Sequence, residues 1–225
     1  NYTAVTFLAL AAQQFREVRN MERETLSKLD QMELVPRGAS YIEGIAMVFE
    51  GRNYLVILAA FVTSLAYIIG GWISGLLAGV VMILISGKLR SGKYLGEIAD
   101  VYEGVLRLDG PNLYVDDIYL MNVGLADNRE RIRQNGLGII IKPRDKDSRV
   151  TISNIGQRQA ILHDVSAILG VYRDTGEPAL VPISKRDLRD GRLGIMLLPQ
   201  QRDPKRAIEV IKRVPVLESA VRMPT

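Results

Sequence analysis

Between residues 53 and 87 the chain carries no charged side chain. A membrane-spanning helix needs about 20 apolar residues, because the hydrocarbon core is roughly 30 Å thick. One straight helix over this stretch would be about 52 Å long, too long for a single pass without steep tilt. The pair Gly70-Gly71 divides the stretch in half. The sequence therefore predicts a transmembrane hairpin with short passes at residues 53–69 and 72–87, joined by a glycine turn.

Basic residues flank this stretch on both sides and predict its orientation. Arg52 precedes the first pass, and Lys88, Arg90 and Lys93 follow the second. With two passes both flanks lie on the same side, and the positive-inside rule makes that side cytoplasmic. We therefore expect a multi-pass protein of the cell membrane whose C-terminal domain is cytoplasmic. A re-entrant hairpin is the alternative, because the passes are short.

Composition excludes several classes of protein. The net charge is +4 and the isoelectric point is about 9.3. No long block of Lys and Arg occurs, so nucleic acid is not an expected partner. The basic flanks of the apolar stretch fit contact with membrane lipid. The absence of cysteine excludes disulfides and thiolate metal sites.

A long helix is predicted at residues 3–32, within an N-terminal helical segment at 1–52. Its first third is apolar and the rest is charged, as in a helix that leaves a membrane. The apolar run at 5–12 lacks the basic start of a signal peptide. The chain begins with Asn1 rather than Met. We expect it to be a fragment that continues upstream into another membrane segment.

The run at residues 34–38, Leu-Val-Pro-Arg-Gly, resembles a thrombin cleavage site. Ala39 stands where such a site has serine, and a patterned helix follows directly, so we interpret the run as native. Ser40 is the predicted N-cap of that helix, and Glu43 completes a capping box three residues later. A functional carboxylate at Glu43 is the other interpretation.

Gly71, Gly75 and Gly79 recur at four-residue intervals in the second pass. Glycines at this spacing form a groove into which another helix can pack closely. The groove can serve self-association in the membrane, or it can receive the first pass of the same chain. The sequence leaves both interpretations of this membrane helix packing open.

Residues 88–135 are predicted to connect the hairpin to the C-terminal domain. The expected elements are strands at 101–108 and 113–121 around the turn tetrad Asp-Gly-Pro-Asn, then a polar helix at 127–134. Asp116 and Asp117 are adjacent in the second strand, where consecutive side chains point to opposite faces. We therefore do not expect them to share a metal ion.

The C-terminal half, residues 136–225, alternates strand and helix patterns. The predicted elements are a strand at 137–143, a helix at 157–169, strands at 179–183 and 193–198, a helix capped by Asp203-Pro204, and a strand at 215–221. Residues 150–153 can instead provide the first core strand, with 137–143 added at an edge. The β-α-β-β-α-β order is that of the ferredoxin-like fold. The predicted fold class is α+β, with helices and a membrane hairpin before this domain.

Residues that could support catalysis are few. His163, the only histidine, lies on the helix face away from the apolar stripe, so it is expected to be exposed or interfacial. One histidine without cysteine does not make a zinc site. No P-loop, GxSxG, HExxH or GxGxxG motif occurs. We predict no catalytic, cofactor-binding or metal site, and no enzymatic activity.

The helix that carries His163 begins near Asn154, and its first turn includes Gln157 and Arg158. Free N–H groups and Arg158 at this end offer an anion or ligand contact. Alternatively, Asn154 caps the helix and Gln157 reaches back to it. We favour the capping interpretation, because most helix starts bind only their own cap or water.

The chain resembles the YIEGIA family of bacterial membrane proteins from about residue 1 to 221. The family is named for the signature found here as Tyr41-Ile42-Glu43-Gly44-Ile45-Ala46. Weaker resemblance lies at residues 36–38, in the apolar hairpin, and at 110–117, 157–164 and 213–220.

The resemblance implies spore-forming Firmicutes and a membrane complex with a small companion protein subunit. It also implies a missing N-terminal membrane segment and a native run at 34–38. It implies no enzymatic activity, and so no catalytic residues. The C-terminal pattern separately resembles ACT-type regulatory domains in its element order, which is a likeness of fold alone.

Our leading hypothesis is a membrane-anchored, homo-oligomeric assembly protein associated with sporulation, whose cytoplasmic domain mediates self-assembly or partner binding. The glycine groove and the open edges of a four-stranded sheet motivate it. The alternative is a membrane-tethered small-molecule sensor with an ACT-like regulatory domain. A channel or transporter has less support, because the passes contain no carboxylate, His, Lys or Arg.

Overall fold

The computed structural model describes residues 2–89, 92–173 and 180–221. Arg90 and Ala179 lie outside these ranges. The helices are α1 (Tyr2–Asp30), α2 (Ala39–Leu89), α3 (Leu95–Ile98), α4 (Ala126–Asn135), α5 (Lys146–Ser153), α6 (Ile155–Leu169) and α7 (Pro204–Lys212). The strands are β1 (Ala99–Gly104), β2 (Leu106–Asp109), β3 (Asn112–Val115), β4 (Ile118–Asn122), β5 (Leu137–Pro143), β6 (Ile183–Arg186) and β7 (Leu193–Leu197).

The two long helices form an antiparallel pair joined by residues 31–38. Phe15 of α1 lies beside Tyr54 of α2, with ring centroids 6.0 Å apart. Closer to the connecting loop, Arg19 donates to Glu50 at 2.9 Å. Because the helices run in opposite directions, the uncharged residues before Phe15 lie alongside the apolar residues that follow Tyr54.

α2 is interrupted at Gly71, where φ is 76° and ψ is −170°. A β-carbon at Gly75 would lie 3.0 Å from Tyr67 Cβ, and one at Gly79 would lie 3.6 Å from Thr63 Cγ2. On a straight helix these pairs would be about 12 and 24 Å apart. The chain therefore turns back at Gly71, and the two halves of α2 pack on each other.

Within the described ranges one helix, Ala39–Lys88, is long and apolar enough to cross a membrane. Its most apolar window has a mean hydropathy of 2.4, and only 11% of that window is buried. The core helix of a soluble protein would be mostly buried. The exposure of this one indicates a surface that lipid or another protein covers.

A four-stranded antiparallel sheet has the order β1-β5-β7-β6. In its two central strands, Ile139 of β5 lies opposite Ile195 of β7. Helices α6 and α7 cover one face of the sheet through Ile161 and Ile211. The neighbouring Ile140 points to the other face and joins a second core. Burial on two faces explains why β5 has an unbroken apolar run.

A three-stranded sheet with the order β2-β3-β4 covers that second face. Its core joins Leu113 and Ile118 to Ile140 and Met196 of the larger sheet. The segment 88–135 was expected to be a connector. It instead supplies β1 of the larger sheet and all three strands of the smaller sheet, and it shares a hydrophobic core with residues 136–221.

The strands predicted at 101–108 and 113–121 are each divided in two. β1 ends at Gly104 and joins the larger sheet, whereas β2 begins at Leu106 and joins the smaller one. β3 ends at Val115, and Asp116, with a φ of 52°, begins the turn into β4. Asp116 and Asp117 therefore lie in a turn, not in a regular strand as predicted.

Two strands predicted in the C-terminal half are wrong. Residues 150–153 belong to α5, whose N-cap Asp145 accepts a hydrogen bond from the Ser148 N–H at 2.7 Å. Residues 215–221 contain an isolated bridge from Pro215 to Tyr94 and a 3-10 turn, Glu218–Ala220. β1 pairs with β5 where that last strand was expected. β6 begins where the predicted strand 179–183 ends.

Candidate functional site

The hexamer at residues 41–46 lies where four parts of the chain meet. It forms the first turns of α2, and its Ile42 and Ala46 are buried. Its other residues contact α1, α6 and residues 214–220, a segment we name the C-terminal clasp. The hexamer is therefore the candidate functional site. We name the place where it meets α1, α6 and the clasp the junction.

Tyr41 connects the hexamer to α6. Its backbone N–H donates to Gln159 Oε1 at 3.1 Å. Its ring meets that of His163 edge-on, with centroids 6.2 Å apart. His163 is buried, and its Nδ1 lies 3.1 Å from Asp164 Oδ1. Burial, followed by the charge of Asp164, raises the pKa of Tyr41. His163 thus lies at a helix interface, where its ring packs.

Glu43 connects the hexamer to α1. Its carboxylate pairs with Arg19 and lies 3.7 Å from Arg23 Nη1. Arg19 also pairs with Glu50, and its hydrogen bonds to the two carboxylates raise its pKa. This ion cluster holds the charged half of α1 against the start of α2.

The capping box predicted from Ser40 and Glu43 is wrong. α2 begins at Ala39, so Ser40 is already inside the helix. The N–H of Tyr41 instead bonds to the Gly38 carbonyl at 3.1 Å. Glu43 is drawn across to the arginines of α1, which lie too far away in sequence for a local pattern to reveal them.

The loop between α1 and α2 is tied down at both ends. The buried carboxylate of Asp30 accepts the N–H groups of Arg37 at 2.5 Å and Gly38 at 3.1 Å. Gly38 has a φ of 82°, and a side chain there would overlap the amide of Gln159. The run at 34–38 is therefore an integral part of the junction.

Gly44 lets the clasp approach the hexamer closely. A β-carbon at this position would lie 2.7 Å from Ser219 Oγ and 3.8 Å from Leu217 Cδ1. A β-carbon would require the Ser219 hydroxyl to move, and a larger side chain would also meet Leu217. The central glycine of the signature is thus explained by packing.

Gln157 holds the clasp against α6. It is fully buried; its Nε2 donates to the Pro215 carbonyl at 3.1 Å, and its Oε1 accepts the Leu217 N–H at 2.8 Å. Asn154 caps α6 by accepting the Gln157 N–H at 3.1 Å. The return bond expected from the Gln157 side chain to Asn154 is wrong, because both polar ends of that side chain bind the clasp.

The clasp also holds both ends of the apolar segment. Glu218 lies 3.4 Å from Arg52, immediately before that segment. The Val216 N–H donates to the Lys93 carbonyl at 2.9 Å, just beyond the segment's other end. One short stretch of chain thus contacts residues on both sides of the apolar segment.

An open groove of about 1130 Å³ runs beside the hexamer. Asn20 and Arg23 of α1 line one wall, Ser40 and Gly44 of α2 another, and Ser219 of the clasp closes it. The polar edge of the junction is therefore accessible to solvent, while its apolar side is buried.

The three glycines singled out in the second half of α2 have different surroundings. Gly71 is the turn, with no atom within 4 Å of the position of a β-carbon. Gly75 and Gly79 receive Tyr67 and Thr63 of the first half of α2. The first half of α2 thus packs on both glycines, while Gly79 stays partly exposed. Self-association through this face stays a prediction.

Arg158 lies near the start of α6, close to Arg186 at the end of β6. Its Nε is buried and has no hydrogen-bond partner. Burial, followed by the charge of Arg186, lowers the pKa of Arg158. Arg186 donates to Ser153 Oγ at 2.7 Å. Throughout the described ranges, neither arginine forms an ion pair with a carboxylate.

Asp117 joins the two sheets through arginines. It lies 2.8 Å from Arg189 and 2.9 Å from Arg192. Asp187, nearly buried, bonds to Arg189 at 2.7 Å, and hydrogen bonds from Arg189 lower the pKa of Asp187 to about 2. The carboxylates of this network are paired with arginines. No group of three His, Asp or Glu residues in the described part of the chain is placed to hold a metal ion.

Two residues of the junction, Asp30 and Gln159, were given no role from the sequence, and a third, Gln157, was assigned only to capping. Asp30 binds the loop, Gln159 binds Tyr41, and Gln157 binds the clasp. Each is a polar residue at a helix end or on a mixed helix face, where solvent exposure is the ordinary outcome. Their partners lie up to 118 positions away, so no local pattern identifies them.

These features define an α+β protein with one long, exposed apolar helix docked on a two-sheet domain. The chain belongs to the YIEGIA family, since it matches the family described as YIEGIA protein over residues 1–225. A protein of Bacillus subtilis (strain 168), Uncharacterized protein YphB, is 53% identical over 224 residues, covering 100% of this chain and 75% of the relative. No solved structure matches the chain. The family match includes the run at 34–38 and agrees with its interpretation as native.

Proposed function

We propose that this protein is a membrane-anchored assembly protein, associated with sporulation, whose α/β domain binds further copies or a companion subunit at the cytoplasmic membrane surface. The observation that carries the proposal is the clasp, which binds Arg52 and Lys93 at the two ends of the apolar segment. A domain held at both ends has a fixed position relative to the membrane. The family resemblance supports the cellular setting.

The dimensions of α2 support the proposal of two membrane passes. About 18 residues separate Arg52 from Gly71, giving roughly 27 Å of helix, close to the thickness of the hydrocarbon core. Thr63 and Tyr67 of the first half pack on Gly79 and Gly75 of the second half. Helices in lipid associate through such close packing, because no hydrophobic driving force acts between them there. The exposed side chains of both halves are apolar, which suits contact with lipid.

The apolar part of α1 extends this membrane unit to three helices. Its first charged residue is Arg16, next to Phe15, which packs on Tyr54 inside the apolar segment. Beyond this point α1 pairs with Glu43 and Glu50 through Arg19. The change from apolar to charged contacts occurs at the same level on both helices, as expected at a membrane surface.

Attachment of the domain favours a scaffold over a mobile enzyme or reporter. A mobile domain needs a long flexible linker. Here only residues 90–94 separate the end of α2 from the start of α3, and the Leu95 N–H bonds to the Val214 carbonyl at 2.9 Å. With β1 in place of the missing last strand, the domain corresponds to a variant of the ferredoxin-like order, and its edge strands β1 and β6 offer surfaces for assembly.

The absence of cysteine allows a clean test of topology. A membrane-impermeant maleimide applied to intact spheroplasts is expected to label Trp72→Cys, beside the turn, and not Arg202→Cys, an exposed position on the domain. After permeabilisation both positions should be labelled. Equal labelling of the two in intact spheroplasts would contradict two full passes, and failure to label Trp72→Cys would favour a re-entrant hairpin.

The assembly role predicts a complex larger than one chain. Light scattering of the full chain in a nonionic detergent, corrected for bound detergent, should give at least twice the monomer mass of 25.0 kDa, or a stable complex with a co-purifying small subunit. The proposal would be contradicted if the protein were a monomer at every concentration and no subunit co-purified with it from the native membrane.

A further inference from the structure

The two halves of α2 leave an open groove between them along one side. The groove has a volume of about 850 Å³; Arg52 and Gly87 line one end, and Thr63 and Gly79 line the other. The walls between these ends are largely aliphatic, and Val56 in the first half is exposed. No described residue of α1 lines the groove, so its apolar walls are free to contact what surrounds the hairpin.

The length of the groove matches one leaflet of a bilayer. Arg52 and Thr63 are eleven positions apart in α2, which corresponds to a rise of about 16 Å. Half of the hydrocarbon core is about 15 Å thick. A molecule with its polar part at Arg52 and its apolar part reaching Thr63 would therefore extend from the membrane surface to the centre of the membrane.

The end of the groove at Arg52 carries a positive charge. The Arg52 side chain stays 56% exposed, although it lies 3.4 Å from Glu218 of the clasp. Lys88 is also exposed, and it directly follows Gly87, which lines the same end. Two cations thus accompany one carboxylate here, and the excess positive charge attracts an anion at the membrane surface.

A second groove of about 780 Å³ continues from Thr63 and Gly79 towards Trp72. Among the described residues that line it none is charged. The attraction for an anion is therefore confined to the end at Arg52, where the clasp contacts the hairpin.

The charges also distinguish between two occupants of the first groove. A second copy inserted in the same orientation would bring its own Arg52 and Lys88 to this surface, and like charges repel. An anionic phospholipid would bring a phosphate to the same level, and a guanidinium binds phosphate oxygens through parallel N–H···O bonds. Its acyl chains are apolar, like the walls of the groove.

We propose that this groove binds one anionic phospholipid of the cytoplasmic leaflet, with the phosphate at Arg52 and Lys88 and the acyl chains extending to Thr63. The inference rests on the proposed membrane anchoring and adds a lipid partner to it. Because Arg52 also pairs with Glu218, the headgroup would lie where the domain contacts the hairpin.

Native mass spectrometry of the full chain in a nonionic detergent, with phosphatidylglycerol or phosphatidylcholine added, counts the lipid molecules that the protein retains. One phosphatidylglycerol molecule should be retained, and Arg52→Gln should weaken its binding about fivefold, the effect of one cation near a membrane surface. Phosphatidylcholine has the same phosphate but also carries a cation. It should bind more weakly and respond less to Arg52→Gln.

Val56→Phe tests the groove without changing its charge, because the larger side chain would occupy the space one turn beyond Arg52. It should abolish retention of phosphatidylglycerol. Val81→Phe is the matched control, since Val81 is exposed on the second half of α2 and lines neither groove. It should retain the lipid like the unmodified chain, and circular dichroism should show equal helix content in both variants.

Equal retention of the two lipids, unaffected by Arg52→Gln and Val56→Phe, would overturn the proposal, because such lipid would be bound without specificity. A lower assembly mass of Val56→Phe with unchanged lipid retention would also overturn it and assign the groove to a protein contact. Labelling of Trp72→Cys and light scattering test anchoring and assembly separately. A negative lipid result alone would thus leave the proposed function standing, whereas failure to label Trp72→Cys would overturn the membrane geometry that both require.

Discussion

Gly44→Leu is expected to destabilise the protein by about 1–3 kcal/mol, the usual cost of forcing extra carbon atoms into a packed site. The new side chain would meet Ser219 and Leu217 of the clasp, since even a β-carbon comes within 2.7 Å of Ser219 Oγ. Chemical denaturation of the full chain in detergent, followed by circular dichroism, measures the loss. Limited proteolysis should also show earlier cleavage at the C-terminal end.

Gly51→Leu is the matched control, seven positions along the same helix. No atom lies within 4 Å of the β-carbon position at Gly51, and leucine has a higher helix propensity than glycine by about 1 kcal/mol. Gly51→Leu should therefore be neutral or mildly stabilising. Equal effects of the two substitutions would mean that Gly44 is not a packing contact, and the account of the hexamer would fail.

Gln157→Leu is expected to cost about 1–3 kcal/mol, because it removes both hydrogen bonds that this fully buried side chain makes to the clasp. The Pro215 carbonyl would lose its donor and the Leu217 N–H its acceptor. The clasp should detach from α6 while α6 keeps its cap, since the Asn154 side chain bonds to the backbone of residue 157. Hydrogen exchange at Leu217, compared between the two proteins, reports the detachment directly.

Gln134→Leu controls for the loss of an amide side chain from a helix. Gln134 is exposed on α4 and bonds only to Glu130, at 2.9 Å, one turn earlier. Its replacement should change stability by at most about 0.5 kcal/mol. If Gln157→Leu has no larger effect, the clasp is held by its apolar contacts and not by Gln157.

The elements with strong local patterns could be predicted from the sequence. The apolar segment and its break at Gly71 follow from charge and glycine placement, and the central strands β5 and β7 follow from unbroken apolar runs. α7 follows from Asp203 as cap and Pro204 as its first residue, and Asp203 does accept the Arg206 N–H. In each case the decisive interactions lie within a few residues of one another.

The junction could not be predicted, because interactions between residues far apart in the sequence decide its structure. Residues 215–221 have a composition that suits a strand, but β1 occupies the position beside β5, and the displaced segment becomes the clasp. Glu43 has the spacing of a capping box, yet the arginines of α1 attract it more strongly. Arg158 was named as an anion contact from its place near a helix start, which stays a prediction, and its neighbour Arg186 is 28 positions away in sequence.

The position of the clasp in the chain determines when the junction can form. The residues that contact Arg52, Lys93 and Gly44 all lie at 214–220, far behind these three in the order of synthesis. The apolar segment is synthesised long before them, so the two halves of α2 can pack on each other while the domain is still incomplete. The contacts between α2 and the domain described above therefore form only after the clasp has been synthesised.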